Sequence, residues 1–346
     1  MKGSEAIAEA AILSGCRYFF GYPITPQNEI PEYLAKHLPK VDGVFLQAES
    51  EVSAIYMVLG AAAAGVRVMT SSSSPGISLK QEGISYIAGA EAPCVIVNIM
   101  RGGPGLGAIQ GAQPDYWQAT RGGGHGDYRL LVLAPATVQE AVDLTYEAFD
   151  LADKYRNPVM ILGDGILAQI MEPVKLPEAN TKLPEKAWAV GKNENRARNI
   201  VNSSYPKIED LEIVNIRLHE TYGKIKENEV RWDSYLTDDA EYIIVAYGSS
   251  ARIAKATVKM ARAEGIKVGL LRPISVWPFP VEPFQNLVPQ TKFFLSFEMS
   301  SGQMIDDVRL AIGNERPVYH YGRFGGVIPL PEELLAKVKE LIKEAK

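Results

Sequence analysis

Two acidic residues, Glu49 and Glu51, lie between a short apolar strand pattern and a long run of small and apolar residues typical of a buried helix. Glu51 falls in the first turn of that predicted helix, where the helix dipole stabilises a negative charge. The commoner role of such a glutamate is to cap the helix. Because the stretch from Ala54 to Gly65 is nearly all small and apolar, Glu51 can instead point outwards and exchange protons with a ligand.

A run of four serines, Ser71 to Ser74, follows the next strand pattern and precedes Pro75 and Gly76. Hydroxyl groups in a loop between a strand and a helix either cap the helix or contact a bound cofactor. Both roles remain open for this loop, and Ser74 is our candidate contact to a cofactor.

Arg101 comes directly after another predicted strand and is followed by a loop with four glycines, from Gly102 to Gly107. Glycine lets the backbone approach a ligand closely, and the planar guanidinium of arginine matches a carboxylate. A surface arginine on a flexible loop is the alternative. A second glycine-rich loop holds Arg121 and His125, and the role of this second pair stays open.

The segment Gly163-Asp164-Gly165 resembles the start of the motif that binds a diphosphate through magnesium. That motif needs a metal-binding Asn about 25–30 residues later, whereas Asn180 comes too early and Asn193 lies in a charged stretch. We therefore predict no metal site on this chain. Cys16 and Cys94 are far apart in the sequence and form no CxxC pair, so they are predicted to be buried thiols rather than cluster ligands.

Alternating strand and helix patterns position these loops. Strands are predicted at 16–20, 44–47, 66–70, 94–100, 130–134 and 159–162, with helices at 3–15, 51–64, 77–90 and 137–153, and Pro26 is predicted to open a further helix. This alternation is typical of a parallel sheet with helices on both faces. Ligands of such sheets bind beyond the carboxyl ends of the strands, where the serine and arginine loops follow.

The chain of 346 residues is long enough for two domains. We predict a first domain over residues 1–175, a charged linker over 176–235 with a helix near 208–228, and a second α/β domain over 236–346. The second domain is predicted to hold strands at 242–247, 267–270, 293–297 and 318–321, and a proline-rich turn around Trp277. The net charge of −5 argues against nucleic acid as a partner. Neither a membrane span nor a targeting segment is visible, so we expect a cytoplasmic protein.

Several of these segments resemble the 2-oxoacid:ferredoxin oxidoreductases. The similar strings are Phe20–Pro26 (FGYPITP), the Glu51 segment, Ser73–Leu79 (SSPGISL), Pro93–Arg101 and Leu271–Pro280 (LRPISVWPFP). They occur in order along nearly the whole chain. The strings at 21–31, 101–107 and 122–128 look closest to the alpha subunit of the 3-methyl-2-oxobutanoate (branched-chain) enzymes, with the 2-oxoglutarate enzymes next.

The resemblance implies a fold and a division of labour. The first domain would be a pyrimidine-binding thiamine diphosphate domain, and the second would be similar to the transketolase C-terminal domain. A beta subunit would supply Mg²⁺ and the diphosphate contacts. A ferredoxin-like delta subunit and a gamma subunit would complete the complex, with [4Fe-4S] clusters on partner subunits. Coenzyme A would be the co-substrate, ferredoxin the electron acceptor and a small 2-oxoacid the substrate.

The resemblance also implies residue roles. Glu51 matches the glutamate that binds N1′ of the cofactor's pyrimidine and so promotes loss of the cofactor's C2 proton, and its place along the small-residue helix favours it over Glu49. Pro23 and Thr25 match the turn beside the cofactor, with the Thr25 hydroxyl near the substrate. Arg101 matches the arginine that binds the substrate carboxylate. The implied reaction is oxidative decarboxylation of the 2-oxoacid to acyl-coenzyme A and carbon dioxide.

Three alternatives remain at this point. A 2-oxoglutarate enzyme of the same family would need a second cation for the distal carboxylate, and Arg121 or His125 are the candidates. A non-catalytic scaffold subunit would be expected to lack Glu51, Thr25 or Arg101, yet all are in place. A non-redox thiamine enzyme such as a transketolase fits poorly with the Tyr-Pro-Ile-Thr-Pro turn.

Overall fold

Helices and strands alternate along the chain, as the sequence pattern predicts. The computed structural model describes residues 1–193 and 196–344. The strands are β1 (Tyr18–Gly21), β2 (Val44–Gln47), β3 (Val68–Ser72), β4 (Val95–Met100), β5 (Leu131–Leu133), β6 (Val159–Asp164), β7 (Gly191–Asn193), β8 (Arg196–Asn199), β9 (Trp232–Tyr235), β10 (Tyr242–Val245), β11 (Val268–Pro273), β12 (Ser275–Trp277), β13 (Phe293–Phe297) and β14 (Val318–Tyr321). The helices are α1 (Gly3–Leu13), α2 (Glu29–His37), α3 (Glu51–Ala63), α4 (Ser74–Gly89), α5 (Tyr116–Arg121), α6 (Val138–Tyr155), α7 (Gly165–Gln169), α8 (Ile208–Asn228), α9 (Gly248–Ala263), α10 (Val281–Leu287), α11 (Met304–Ile312) and α12 (Pro331–Glu344).

A seven-stranded sheet forms the first half of the molecule, in the order β12-β5-β6-β4-β3-β1-β2. Its central strands β3, β4 and β6 are buried at every position, as expected of parallel strands covered on both faces. The edge strand β2 is largely exposed. The parallel α/β prediction is confirmed, and the six strands predicted in the first domain begin and end within two residues of the predicted positions.

Two local predictions are wrong. Pro26 does not open a helix, because the backbone first makes a turn in which the N–H of Gln27 donates to the carbonyl of Ile24 (3.1 Å), and α2 begins only at Glu29. The proline-rich stretch around Trp277 is not only a turn, since β12 pairs antiparallel with β5 and extends the first sheet. Prolines beside a three-residue edge strand are compatible with this pairing, because an edge strand needs fewer backbone donors.

A five-stranded sheet, in the order β14-β13-β10-β11-β9, organises the second half. Its strands β10, β11, β13 and β14 are parallel, and β9 is antiparallel to β11. The predicted linker therefore contributes β9 at its end, and the predicted helix near 208–228 is present as α8. Cys16 and Cys94 are free and buried, as predicted, and burial raises the pKa of each thiol to about 12. None of the helices within the described ranges has the length and apolar character needed to cross a membrane.

Candidate functional site

A chain of hydrogen bonds at the carboxyl edge of the first sheet joins three of the predicted site residues. The Arg101 backbone N–H donates to Oγ of Ser74 (3.1 Å), and Nη1 of Arg101 donates to the carbonyl of Thr25 (2.9 Å). These residues follow β4, β3 and β1, whose carboxyl ends meet at one edge because the strands are parallel. The structure therefore brings Thr25, Ser74 and Arg101 together, with Thr25 contributing its carbonyl to these contacts.

Glu51 lies at the same edge and is 6% exposed. It begins α3, but the cap of that helix is Ser50, whose hydroxyl accepts from the N–H of Ser53 (3.2 Å). Its carboxylate lies against the first turn of α4. The contact is close, since a Cβ added at Gly76 would be only 2.8 Å from Oε1 of Glu51. Within the described part of the chain, no hydrogen bond reaches that carboxylate, so its acceptor capacity is left for a ligand.

Glu49 has the opposite environment. Its side chain is exposed and accepts a hydrogen bond from the hydroxyl of Ser53 (2.6 Å), which lowers the pKa of the carboxyl. The two glutamates are separated by two positions at the start of α3, and only Glu51 is turned into the protein. The geometry therefore favours Glu51 for a buried acid–base role.

A buried lysine stands next to Glu51, and the sequence pattern does not reveal it. Nζ of Lys80 lies 3.2 Å from Oγ1 of Thr70 and 3.5 Å from the carbonyl oxygen of Glu51. Burial lowers the pKa of Lys80 to about 8, against the opposing effect of the negative charge of Glu51. In the sequence, Lys80-Gln81-Glu82 is typical of an exposed polar helix face, and no local signal distinguishes it.

Arg101 is 5% exposed, and its guanidinium is held by backbone carbonyls. Nη1 donates to Thr25 and Nη2 donates to the carbonyl of Leu106 (2.8 Å), which lies in the glycine-rich loop. Nε is buried without a hydrogen-bond partner. Arg101 therefore connects the turn at Thr25 to the loop after β4 and keeps its Nε–H as a donor for a ligand. Pro23, in the same turn as Thr25, is exposed.

Asp115 is a second residue that sequence reasoning missed. Its Oδ2 accepts from Oγ of Ser74 (2.6 Å) and from Nδ2 of Asn98 (2.9 Å). Burial raises the pKa of Asp115, and these two hydrogen bonds partly oppose the rise. The position after the glycine-rich loop, in Gln113-Pro114-Asp115, carries no recognisable signal. Asp115 positions Ser74 and closes this side of the site.

Further polar atoms at this edge are buried without a partner in the described residues, namely Oγ of Ser72, Oγ of Ser73 and Oδ1 of Asn98. Leaving such atoms unsatisfied is costly, so each is a position where a polar ligand gains a hydrogen bond. Gly76 contributes space, since a Cβ at that position would lie 2.0 Å from Oγ of Ser72. These features fit a polar ligand bound at this edge of the sheet.

A cavity of about 560 Å³ adjoins the site on the side of the second sheet. Ser74, Asp115 and Pro104 line it from the first half of the chain, and Gln303 and Phe324 line it from the second half. Its volume is within the range of small-molecule sites.

The remaining sequence candidates have structural partners of their own. Arg121 forms an ion pair with Asp307 (2.7 Å), and His125 packs edge-on against Tyr86 at 5.9 Å between ring centres. Asp164 caps α7 and accepts from Oγ of Ser249 (2.8 Å). Across residues 1–193 and 196–344, no hydrogen bond or ion pair joins Arg121, His125 or Asp164 to Glu51, Thr25 or Arg101.

Comparison with known proteins matches most of the chain to described families. Residues 9–234 match the family described as pyruvate flavodoxin/ferredoxin oxidoreductase, thiamine diphosphate-binding, and residues 240–334 match pyruvate:ferredoxin oxidoreductase core domain II. The ketoisovalerate oxidoreductase subunit VorB of Methanothermobacter thermautotrophicus is 53% identical over 342 residues, which is 99% of this chain and 97% of that protein.

The solved structures that resemble this chain include two that match nearly its whole length. The 2-oxoglutarate:ferredoxin oxidoreductase of Magnetococcus marinus, with 2-oxoglutarate, coenzyme A and succinyl-coenzyme A bound, has a TM-score of 0.85 at 28% identity. The match covers 98% of this chain, which spans 64% of that longer one. A split-gene transketolase in an inactive β4 tetramer has a TM-score of 0.63 at 14% identity, covering 99% and 97% of the two chains, and shows a shared fold. The predicted fold, a pyrimidine-binding domain followed by a transketolase C-terminal-like domain, is confirmed.

Proposed function

The chain belongs to the pyruvate flavodoxin/ferredoxin oxidoreductase family, and on that premise we propose that it is the pyrimidine-binding subunit of a branched-chain 2-oxoacid:ferredoxin oxidoreductase. The reaction is the oxidative decarboxylation of a 2-oxoacid such as 3-methyl-2-oxobutanoate, with coenzyme A as acyl acceptor and ferredoxin as electron acceptor. The observation that carries the proposal is Glu51, a buried carboxylate with free acceptor capacity at the sheet edge.

Glu51 is our proposed partner of the pyrimidine N1′ of thiamine diphosphate. When bound, the cofactor would supply the nucleophilic carbon that the reaction at the 2-oxo group requires. The contribution of Glu51 is to hold and move a proton at N1′, which a buried carboxylate next to a helix N-terminus is suited to do. Ser74 and Pro23 are proposed to flank the cofactor. Ser74 is held in place by Asp115 and the backbone of Arg101.

Arg101 and Thr25 are proposed to receive the substrate. The Nε–H of Arg101 is buried and without a partner, so it can donate to a carboxylate while Nη1 and Nη2 keep the turn and the loop in place. Thr25 is half-buried, and its carbonyl accepts from Arg101, which supports a role for its hydroxyl near the substrate. Desolvation by the surrounding protein strengthens an arginine–carboxylate contact.

The site is proposed to be completed by other subunits. Large apolar side chains around it are exposed, including Val52 (39%), Leu79 (55%) and Leu106 (83%), and an apolar surface of this kind typically lies in an interface. We assign the diphosphate and Mg²⁺ contacts to a beta subunit, [4Fe-4S] clusters to partner subunits including a ferredoxin-like delta subunit, and the remaining subunit role to a gamma subunit. The relatives are themselves named as subunits.

The test is a substrate comparison with the assembled complex, prepared by coexpressing the chain with its partner subunits. We expect kcat/KM for 3-methyl-2-oxobutanoate to exceed that for 2-oxoglutarate and pyruvate by roughly tenfold or more, measured as ferredoxin reduction and acyl-coenzyme A formation. The purified chain alone should be inactive. Turnover by the isolated chain would contradict the proposal that other subunits complete the active site.

A 2-oxoglutarate oxidoreductase is the second candidate, because the Magnetococcus marinus structure with a TM-score of 0.85 holds 2-oxoglutarate. That substrate needs a second cation, and the charge of Arg121 is already engaged by Asp307. A preference for 2-oxoglutarate in the substrate comparison would replace the branched-chain assignment and leave the family and the role of Glu51 unchanged.

A further inference from the structure

The segment from Gln113 to Trp117 connects the site to the second sheet. Gln113 is completely buried and bridges the residues that follow β10 and β13. Its Nε2–H donates to the carbonyl of Tyr247 (2.9 Å), and its Oε1 accepts from the N–H of Met299 (3.0 Å). The start of the segment is therefore anchored to the carboxyl edge of the second sheet.

The side-chain amide of Gln303 holds the same segment on either side of Asp115. Its Nε2–H donates to the carbonyl of Pro114 (2.6 Å), and its Oε1 accepts from the backbone N–H of Trp117 (2.8 Å). The carbonyl of Gln303 also accepts from the indole N–H of Trp117 (3.1 Å). Because an amide has a donor end and an acceptor end, one glutamine can fix two backbone groups of opposite polarity. Gln303 thereby fixes the backbone from which the side chain of Asp115 projects.

The side chain of Asp115 reaches back to the first sheet. Its Oδ2 lies 2.6 Å from Oγ of Ser74, whereas the carbonyl of Arg101 lies 3.4 Å from the same hydroxyl. The shorter contact directs the hydroxyl hydrogen to Asp115, and the N–H of Arg101 occupies one lone pair of the oxygen (3.1 Å). One lone pair of Ser74 remains, so this hydroxyl can accept a hydrogen bond from a ligand in a fixed direction.

We propose that Gln303 is a positioning residue of the second domain, which acts through Asp115 to fix the hydroxyl of Ser74 in the cofactor site. This inference rests on the proposed contact of Ser74 with thiamine diphosphate and goes beyond it, because it gives the second domain a part in cofactor binding. The path from Gln303 to Ser74 consists of hydrogen bonds of 2.6 to 2.8 Å. Supporting hydrogen bonds of this kind hold a binding group in its productive geometry, because they constrain direction as well as distance.

The experiment is a double-mutant cycle on the assembled complex, with the dissociation constant of thiamine diphosphate measured by calorimetric titration in the presence of Mg²⁺. Gln303→Met keeps the length of the side chain and removes both amide contacts. It should weaken thiamine diphosphate binding about tenfold, the equivalent of one misplaced hydrogen bond. In the Ser74→Ala background the same substitution should change the affinity by less than about twofold, because the hydroxyl that Gln303 positions is then absent.

Steady-state kinetics and a control separate positioning from general damage. At saturating thiamine diphosphate, Gln303→Met should keep kcat within about twofold of the wild type, since it loses binding rather than chemistry. Gln290→Met is the matched control, because the Gln290 amide also donates to a backbone carbonyl of the second domain, that of Thr237 (2.7 Å), but at the amino end of β13. It should leave the affinity at the wild-type value. If Gln303→Met does not assemble, Gln303→Ala carries the same expectation.

Different results would overturn different claims. Equal losses of affinity with and without Ser74→Ala would show that Gln303 acts by a route other than Ser74 and would refute the inference. Wild-type affinity in both Gln303→Met and Gln303→Ala, with weaker binding in Ser74→Ala, would refute the role of Gln303 and retain that of Ser74. Wild-type affinity in Ser74→Ala would refute the proposed contact of Ser74 with the cofactor, and the inference with it.

Discussion

Two buried glutamates, one at the carboxyl edge of each parallel sheet, have opposite environments. Glu298 follows β13 and is completely buried. It accepts five hydrogen bonds, from the hydroxyls of Ser296 and Ser300 and from the backbone N–H groups that open α11, at 2.8 to 3.2 Å. Glu51 opens α3 beyond β2, is almost as buried, and accepts no hydrogen bond within the described ranges.

The difference shows what distinguishes a structural carboxylate from an available one. A carboxylate has about four acceptor positions, and Glu298 uses its capacity to hold a loop and a helix start together. At Glu51 the neighbouring Ser50 performs the capping, so the carboxylate remains available to a ligand. Burial at a helix N-terminus is common to both residues, and only the number of occupied acceptor positions separates them.

The largest expected effect follows from neutralising the available carboxylate. Glu51→Gln should lower the turnover of the assembled complex by about 10²–10⁴-fold, because the amide cannot exchange a proton with the pyrimidine. Its thermal unfolding midpoint should stay close to that of the wild type, since Glu51 accepts no hydrogen bond that would be lost. Steady-state kinetics and thermal unfolding of the same preparation provide both values.

Glu49→Gln is the matched control for this variant, because Glu49 is an exposed carboxylate two positions away. Its turnover should equal that of the wild type. Equal losses in the two variants would show that Glu51 acts through the surface charge of the helix start and would remove the contrast with Glu298.

A smaller effect is expected at Arg101. Arg101→Lys keeps the charge but cannot hold the carbonyls of Thr25 and Leu106 while presenting a further donor. We expect KM for the 2-oxoacid to rise about 10- to 100-fold, the equivalent of one hydrogen bond to a charged group, with a smaller change in the affinity for thiamine diphosphate. A change in the affinity for thiamine diphosphate alone would indicate that Arg101 binds the cofactor and not the substrate.

The smallest effect on catalysis, and a clear effect on stability, is expected at Glu298. Glu298→Gln replaces one acceptor oxygen by a donor beside hydroxyl and backbone N–H groups that need acceptors, which should cost about 2 kcal/mol of unfolding free energy. Turnover below the unfolding range should remain near that of the wild type. A large loss of turnover without a loss of stability would mean that Glu298, too, is available to a ligand.

Much of the fold could be predicted because it depends on local patterns. Largely apolar runs at positions 94–100 and 159–162 predict buried parallel strands, and the small residues after Glu51 predict a packed helix. The pairing of β12 with β5 could not be predicted, since it joins residues about 140 positions apart through a three-residue strand. Short edge strands have little pattern of their own and are specified by the surface on which they pack.

The sequence by itself determined the class of fold and the family. It also supplied the candidate site residues, namely two glutamates, a serine loop and two arginines. These properties reside in residue type and in spacing along the chain. The tertiary structure decided which members of that set meet. It turned Glu51 inwards and Glu49 outwards, engaged Arg121 with Asp307, and placed Lys80 beside Glu51 across 29 residues of chain. Burial and charge pairing between distant segments depend on how helices pack on a sheet, and this packing is a property of the whole molecule.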